Sequence, residues 1–346
     1  MNDMPNFRFP AEWEYDCAIL LAWPHADTDW NYMIDEVRDC YIKLITAITK
    51  YHPVFIVSPN ASELKDVMPR TTPDRIFLID LPTNDTWIRD YGPLTMLSGN
   101  GDFILRDFCF NGWGMKFAAD RDNLVNSCLC EKKLFSVELI NNRDFVLEGG
   151  GIESDGNGSL MTTSRCQLSP NRNAVLTRPQ IEQKLKNYFN ADNLIWIDHG
   201  YLAGDDTDSH IDTLARFAPH STIVYTGCQD QTDEHFTELS LMQQDLKNAR
   251  NKDGLPYNLI ELPLPDPIFD EDGQRLPATY ANFLVTPEAV FMPVYGQPRK
   301  DQLAAQILSI AYERPVETID CNALIKQHGS LHCATMQIPL NSISVL

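Results

Sequence analysis

The chain has 346 residues, 43% of them hydrophobic and 22% charged. That length and composition exclude a disordered chain, a collagen, a coiled coil or a small disulfide-stapled scaffold, and they leave room for a large buried core. With 48 acidic against 28 basic residues the formal charge is −20, which repels nucleic-acid phosphates, and no basic run offsets it.

Short apolar runs alternate with helical patterns along the chain. Residues 17–22 (CAILLA) read as a buried strand. Over 35–50, Val37, Tyr41, Leu44, Ile45 and Ile48 fall at helical spacing. Strands at 53–57 (PVFIV) and 75–79 (RIFLI) flank a short helix at 62–68. The order returns later: strands at 193–198, 212–217 and 222–225, a helix near 234–247, and a strand at 258–262. Residues 282–285 and 289–293 form a strand pair, 302–311 a helix, 315–319 a strand, 321–327 a final helix and 336–339 a closing strand. The pattern predicts an α/β protein. No Ser/Gly-rich or Pro-rich linker divides it, so one domain over 1–346 is expected. No run approaches the ~20 apolar residues of a membrane span, and residues 1–16 lack the basic and apolar regions of a secretion signal. Nine cysteines, an odd number without CxxC spacing, predict reduced thiols in the cytoplasm rather than a disulfide framework.

Four polar, turn-rich clusters carry the chemistry. Residues 84–93 (NDTWIRDYGP) hold Asp90, which can accept paired N–H bonds from a guanidinium, and Trp87, which can stack on the same cation. An internal Arg89–Asp pair beside a core tryptophan is the competing reading. Residues 147–156 (LEGGGIESDG) place Glu148 before three glycines that let backbone approach a ligand, or simply turn a hairpin. Residues 205–212 (DDTDSHID) set His210 among carboxylates, a composition suited to acid–base work near neutral pH. On a strand, His210 and Asp212 would face the same side. A metal site built from Asp206, Asp208, His210 and Asp212 is the alternative, although the spacing matches neither HExxH nor an EF-hand. Residues 328–335 (HGSLHCAT) carry Cys333, a nucleophile only if the fold brings a base such as His210 close. GxSxG and GxGxxG are both absent, which argues against an α/β-hydrolase and a dehydrogenase.

Together with AWPH at 22–25 and FNGWG at 110–114, these segments make the sequence resemble the agmatine deiminase and bacterial peptidyl-arginine deiminase family from Phe7 to Pro339. The resemblance implies the pentein fold, a five-bladed pseudosymmetric α/β propeller of ββαβ modules. It implies Cys333 as nucleophile, His210 as general acid and base, Asp90 and Asp212 as guanidinium-binding carboxylates, and Glu148 as support for the histidine. Trp87, Trp113, Asp206 and Asn282 are the expected substrate-binding residues. Gly151, Glu153 and Met115 depart from the family pattern at loops that line the substrate tail in relatives. The implied reaction removes an imino group from agmatine, giving N-carbamoylputrescine in putrescine and polyamine synthesis, with no metal or organic cofactor. The expected partner is a small cationic guanidinium compound, with no nucleic acid or membrane involved, and the protein is expected to be a homodimer. Arginine or peptidyl-arginine deimination uses the same core. A non-catalytic guanidine-binding protein is the reading from another class.

Overall fold

The computed structural model describes residues 6–344. Among them, one unit recurs five times: an antiparallel strand pair, a connecting segment that carries a helix, and a third strand parallel to the second. The first runs Leu94–Ser98, Phe103–Cys109 and Leu139–Val146, with Val125–Glu131 helical between the last two; Phe7–Arg8 adds at its edge. The second runs Ile152–Ser154, Ser159–Thr163 and Asn193–Ile197 around the helix Arg178–Phe189. The third runs Ala215–Ala218, Thr222–Gly227 and Asn258–Pro263 around Phe236–Asn248. The fourth runs Leu284–Val285, Val290–Val294 and Val316–Asp320 around Pro298–Tyr312.

The fifth unit joins the two ends of the chain. Met336–Pro339 pairs antiparallel with Cys17–Ala22 in the register Met336–Leu20 to Pro339–Cys17. Cys17–Ala22 then pairs parallel with Val54–Ser58, and that strand with Ile76–Asp80. Every residue of Cys17–Ala22 is buried, as its unbroken apolar run requires. The helix Ile34–Ile48 buries Val37, Tyr41, Leu44, Ile45 and Ile48, the stripe its spacing predicts.

The α/β class is what the sequence predicts, and the loose recurrence of elements is a repeated unit. Three elements differ. Residues 62–68 and 321–327 form short 3₁₀ turns, Ala61–Asp66 and Leu324–Gln327, the second ended by His328 in the left-handed region at φ 68°. Asp212 does not begin a strand. Thr213 donates its hydroxyl to the His210 carbonyl at 2.8 Å, and the Leu214 N–H donates to the Ile211 carbonyl at 3.0 Å. The chain therefore curls through Ile211–Thr213 before the strand Ala215–Ala218 starts.

The repeat determines where the chemistry lies. Asp90, Glu148, the pair His210 and Asp212, Asn282 and Cys333 each stand a few residues before the first strand of a different unit. No helix among the described residues is long and apolar enough to cross a membrane.

Candidate active site

Three polar side chains meet over Gly150. A Cβ added there would lie 2.8 Å from Asp90 Oδ1, 2.8 Å from His210 Nδ1 and 2.9 Å from Asp212 Oδ2, so only glycine leaves this space open. The glycine run is thus a floor to a site rather than a plain hairpin turn. The Gly150 N–H also donates to Asp90 Oδ1 at 2.9 Å. The other oxygen of Asp90 accepts from Trp113 Nε1 at 2.8 Å. Trp113 makes that bond from a left-handed turn in which Gly112, Trp113, Gly114 and Met115 all have positive φ. Such strain in a bulky residue is costly and clusters at functional sites.

His210 sits between carboxylates, with Nδ1 3.5 Å from Asp90 Oδ1 and Nε2 3.7 Å from Glu148 Oε2. Local chemistry aims it. Asp205 accepts from the Thr207 and Ser209 N–H groups, and Asp208 and Ser209 adopt positive φ just before the histidine. Burial disfavours the imidazolium, but Asp90, Cys166 and Glu148 outweigh it and hold His210 well above the usual imidazole range. Glu148 and its partner Arg172 are fully buried, with Arg172 Nε 2.8 Å from Oε2. Burial alone would raise the Glu148 carboxyl; Arg172 and His210 hold it below the usual range.

Cys333 Sγ lies 3.4 Å from Asn282 Oδ1 and 3.7 Å from Asp212 Oδ2. The Cys333 and His332 N–H groups both donate to Asn282 Oδ1, at 3.3 and 3.0 Å, which pins the loop. Burial first, then Asp212 and Asp90, push the Cys333 thiol well above the ordinary thiol range. Asp212 accepts from His332 Nδ1 at 2.7 Å through one oxygen, while its Oδ1 is buried without a partner, as are both ring nitrogens of His210. Unpaired buried polar atoms are costly, and such atoms call for an explanation at a functional site.

A narrow cleft opens onto Cys333 and Asp90. Trp87, Asp90, Trp113, Asp206 and Cys333 line it, together with Asp29 and Asp85. Its carboxylates are unlike ordinary surface acids. Burial raises Asp85 to about 7, opposed by Thr86 and reinforced by Asp29. Asp206 rises to about 6, through burial that His328 partly offsets.

The structure gathers Cys333, His210, Asp90, Asp212, Glu148, Trp87, Trp113, Asp206 and Asn282 around this cleft and its floor. Other expectations are corrected. Arg89 does not pair with Asp90; it meets Glu12 at 3.0 Å and Gln337 at 2.6 Å. Asp206, Asp208, His210 and Asp212 do not form one ligand set, because Asp208 is taken by Arg172 and Lys116, and Asp212 by His332. Glu148, Cys166 and His210 do place ligand atoms within 4.8 Å of one another and could hold a metal, although Arg172 already supplies a cation there. Met115 is 76% exposed, and Glu153 turns away to Arg216 at 2.9 Å, so neither lines the cleft. Sequence reasoning missed Glu12, Arg172, His332 and the lining acids Asp29 and Asp85. His332 and Asp85 stand inside quoted segments, whereas Glu12 and Arg172 act on distant residues and leave no local signal.

A cysteine, a histidine and convergent carboxylates in a narrow acidic cleft define a site fitted to a cation and equipped for nucleophilic chemistry. Comparison places it among known proteins. The chain belongs to the Porphyromonas-type peptidyl-arginine deiminase family, whose pattern it matches over residues 8–339. It is 32% identical to a Listeria monocytogenes protein provisionally named agmatine deiminase 2, over 96% of this chain and 95% of that one. A Porphyromonas gingivalis crystal structure provisionally named an arginine deiminase shares 45% identity at a TM-score of 0.92, covering 98% of this chain and 100% of that one. A Cys-to-Ser variant of Campylobacter jejuni agmatine deiminase with substrate bound shares 36% identity at a TM-score of 0.90, covering 99% of each.

Proposed function

We propose that the protein is an agmatine deiminase, hydrolysing agmatine to N-carbamoylputrescine and ammonia. The observation that carries the substrate is the charge of the cleft: Asp29, Asp85, Asp90 and Asp206 line it, and none of the described lining residues is Lys or Arg. Free arginine brings an α-carboxylate that needs a cationic partner. The candidate arginines are committed elsewhere: Arg89 to Glu12, Arg172 to Glu148, and Arg165 over the Tyr201 ring at 5.7 Å. Agmatine carries a guanidinium at one end and an ammonium at the other. The guanidinium goes to Asp90 and Asp212, with Trp87 and Trp113 as walls, and the ammonium to Asp85 and Asp206. The agmatine deiminase relatives support agmatine as the substrate.

The bound cation offsets the burial and the two carboxylates that hold the Cys333 thiol protonated, so the thiol gives its proton to solvent and the thiolate forms beside its target carbon. Sulfur adds to that carbon. His210, kept cationic, donates a proton to the departing ammonia as the C–N bond breaks, and an amidino-thioether remains on Cys333. His210 then takes a proton from water, the hydroxide adds to the carbon, and the C–S bond breaks to release the ureido product. Glu148 holds the imidazole from behind, and Asn282 fixes the nucleophile loop. The same reading arranges the five repeated units as blades of a pseudosymmetric propeller around the cleft, supported by the delivery of a functional residue from the loop before each first strand. Its nine unpaired cysteines suit the reducing cytoplasm.

The purified protein is to be given agmatine, arginine and a blocked arginyl peptide while ammonia and ureido product are measured. Agmatine is expected to be turned over fastest, and Cys333→Ala is expected to abolish turnover with its melting temperature nearly unchanged. Preference for arginine would overturn the substrate, and an active Cys333→Ala variant the mechanism. No turnover of any of the three would favour a guanidine-binding protein.

A further inference from the structure

Asp212 is asked to meet the substrate guanidinium beside Cys333, 3.7 Å from its Sγ, and what holds it there lies outside the cleft. We propose that Glu12 and His332 are positioning residues that fix the Asp212 carboxylate beside Cys333, where it meets the substrate guanidinium. The inference rests on the role given to Asp212 above.

The geometry is a chain of short contacts. Asp212 Oδ2 accepts from His332 Nδ1 at 2.7 Å, and His332 Nε2 meets Glu12 Oε1 at 2.7 Å. An imidazole satisfies a carboxylate at each nitrogen only by donating from both. It then presents a cation edge to Asp212 and cannot turn without breaking a bond. Glu12 is itself fixed, with Arg89 at 3.0 Å and Arg216 at 2.8 Å. Arg216 is fully buried and anchored on Glu153 at 2.9 Å and the Phe283 carbonyl at 2.6 Å. Burial would raise the Glu12 carboxyl, but His332, Arg89 and Arg216 hold it well below the usual range, so it stays charged.

Two further features tie this network to catalysis. The His332 N–H shares Asn282 Oδ1 with Cys333, so the ring that orients Asp212 belongs to the segment that carries the nucleophile. Glu12 enters from the start of the chain, 320 residues away in sequence. It lines a second pocket that shares no lining residue with the substrate cleft. Glu12 therefore acts through His332 rather than by touching substrate.

The test compares Glu12→Gln, His332→Ala and His332→Asn, the last placing an amide donor where Nδ1 stands. On whichever guanidinium compound the wild type turns over, His332→Ala is expected to lower kcat by about 100-fold, the scale of an ångström-sized misplacement. Dissociation constants measured in a Cys333→Ala background should move by less than about tenfold, because charge at the site survives while alignment is lost. His332→Asn should recover much of kcat, and Glu12→Gln should fall between. If His332→Ala does not fold, the other two decide: a folded Glu12→Gln protein with wild-type kcat overturns the inference, as does an Asn variant no better than Ala. Alkylation of Cys333 by iodoacetamide reads the same network without substrate. Freeing Asp212 from the His332 cation should slow it, since an unshielded carboxylate disfavours the thiolate; an unchanged rate counts against the inference. A wild type inert toward every guanidinium compound would instead refute the functional reading, leaving the alkylation result to judge the network.

Discussion

Gly150, Asp85 and Asp206 show how much of the site rests on single side chains. Gly150 contributes an absence: any Cβ would stand within 2.9 Å of Asp90, His210 and Asp212. Asp85 and Asp206 contribute charge that depends on pH. Their carboxyls are raised to about 7 and about 6, so both ionise fully only above neutrality. Protonation removes the partner of an ammonium, and the sign follows directly. The KM for agmatine should rise as pH falls through about 7 toward about 6, while an alkylguanidine with a neutral tail should show less change over the same range. Asp29, Asp205, Lys116 and His328 surround the pair and are constant between the two substrates. Parallel pH profiles for the two compounds would remove Asp85 and Asp206 from the tail site.

At the scale of elements, the site is a set of loops held by buried ion pairs. The segment 205–213 is shaped by Asp205 and by two residues at positive φ, and it is clamped from behind by Arg172, which reaches Glu148, Asp208 and the Thr207 carbonyl. Removing one partner of a fully buried pair costs about 3–5 kcal/mol, because the other is left uncompensated. Arg172→Met should lose stability on that scale and also lower kcat by releasing Glu148 and the His210 loop. The pH dependence distinguishes the ion pair from lost packing. Glu148 is depressed when folded, so its contribution is present above its ordinary value of 4.5 and is lost as pH falls through the folded value. In the variant an unpaired Glu148 is instead relieved by protonation. The stability gap measured by urea denaturation should therefore narrow on acidification; a constant gap would mean packing alone was lost.

At the scale of the whole molecule, a strand from near the start of the chain lies beside the last one, Cys17–Ala22 against Met336–Pro339. Three residues before that last strand stands Cys333, so the nucleophile is seated only when the two ends of the chain have met. The net charge of −20 acts at this scale too. It raises the local concentration of a dication, an effect screened over about 8–10 Å at ordinary salt. The KM for agmatine should climb with added NaCl while kcat holds, and a KM indifferent to salt would reduce the acidic surface to a solubility device.

Much of the fold and site was legible in the sequence, for local reasons. The stripe Val37, Tyr41, Leu44, Ile45 and Ile48 defines its own buried face, and the run 17–22 its own strand, because burial acts on every residue in register. Cys333, His210, Asp90 and Glu148 stand out as candidates because each sits in a short polar, turn-rich segment, but their roles come only from the resemblance that those segments carry together. Tertiary structure alone decided the rest. Asp212 leaves its expected strand because hydrogen bonds from Thr213 and Leu214 curl the chain. Glu12 reaches His332 across 320 residues, and Arg89 turns from its neighbour Asp90 to Glu12 and Gln337. Local spacing records which groups are present and which face they share, whereas buried charges choose partners by desolvation and distance, which exist only once the chain has closed.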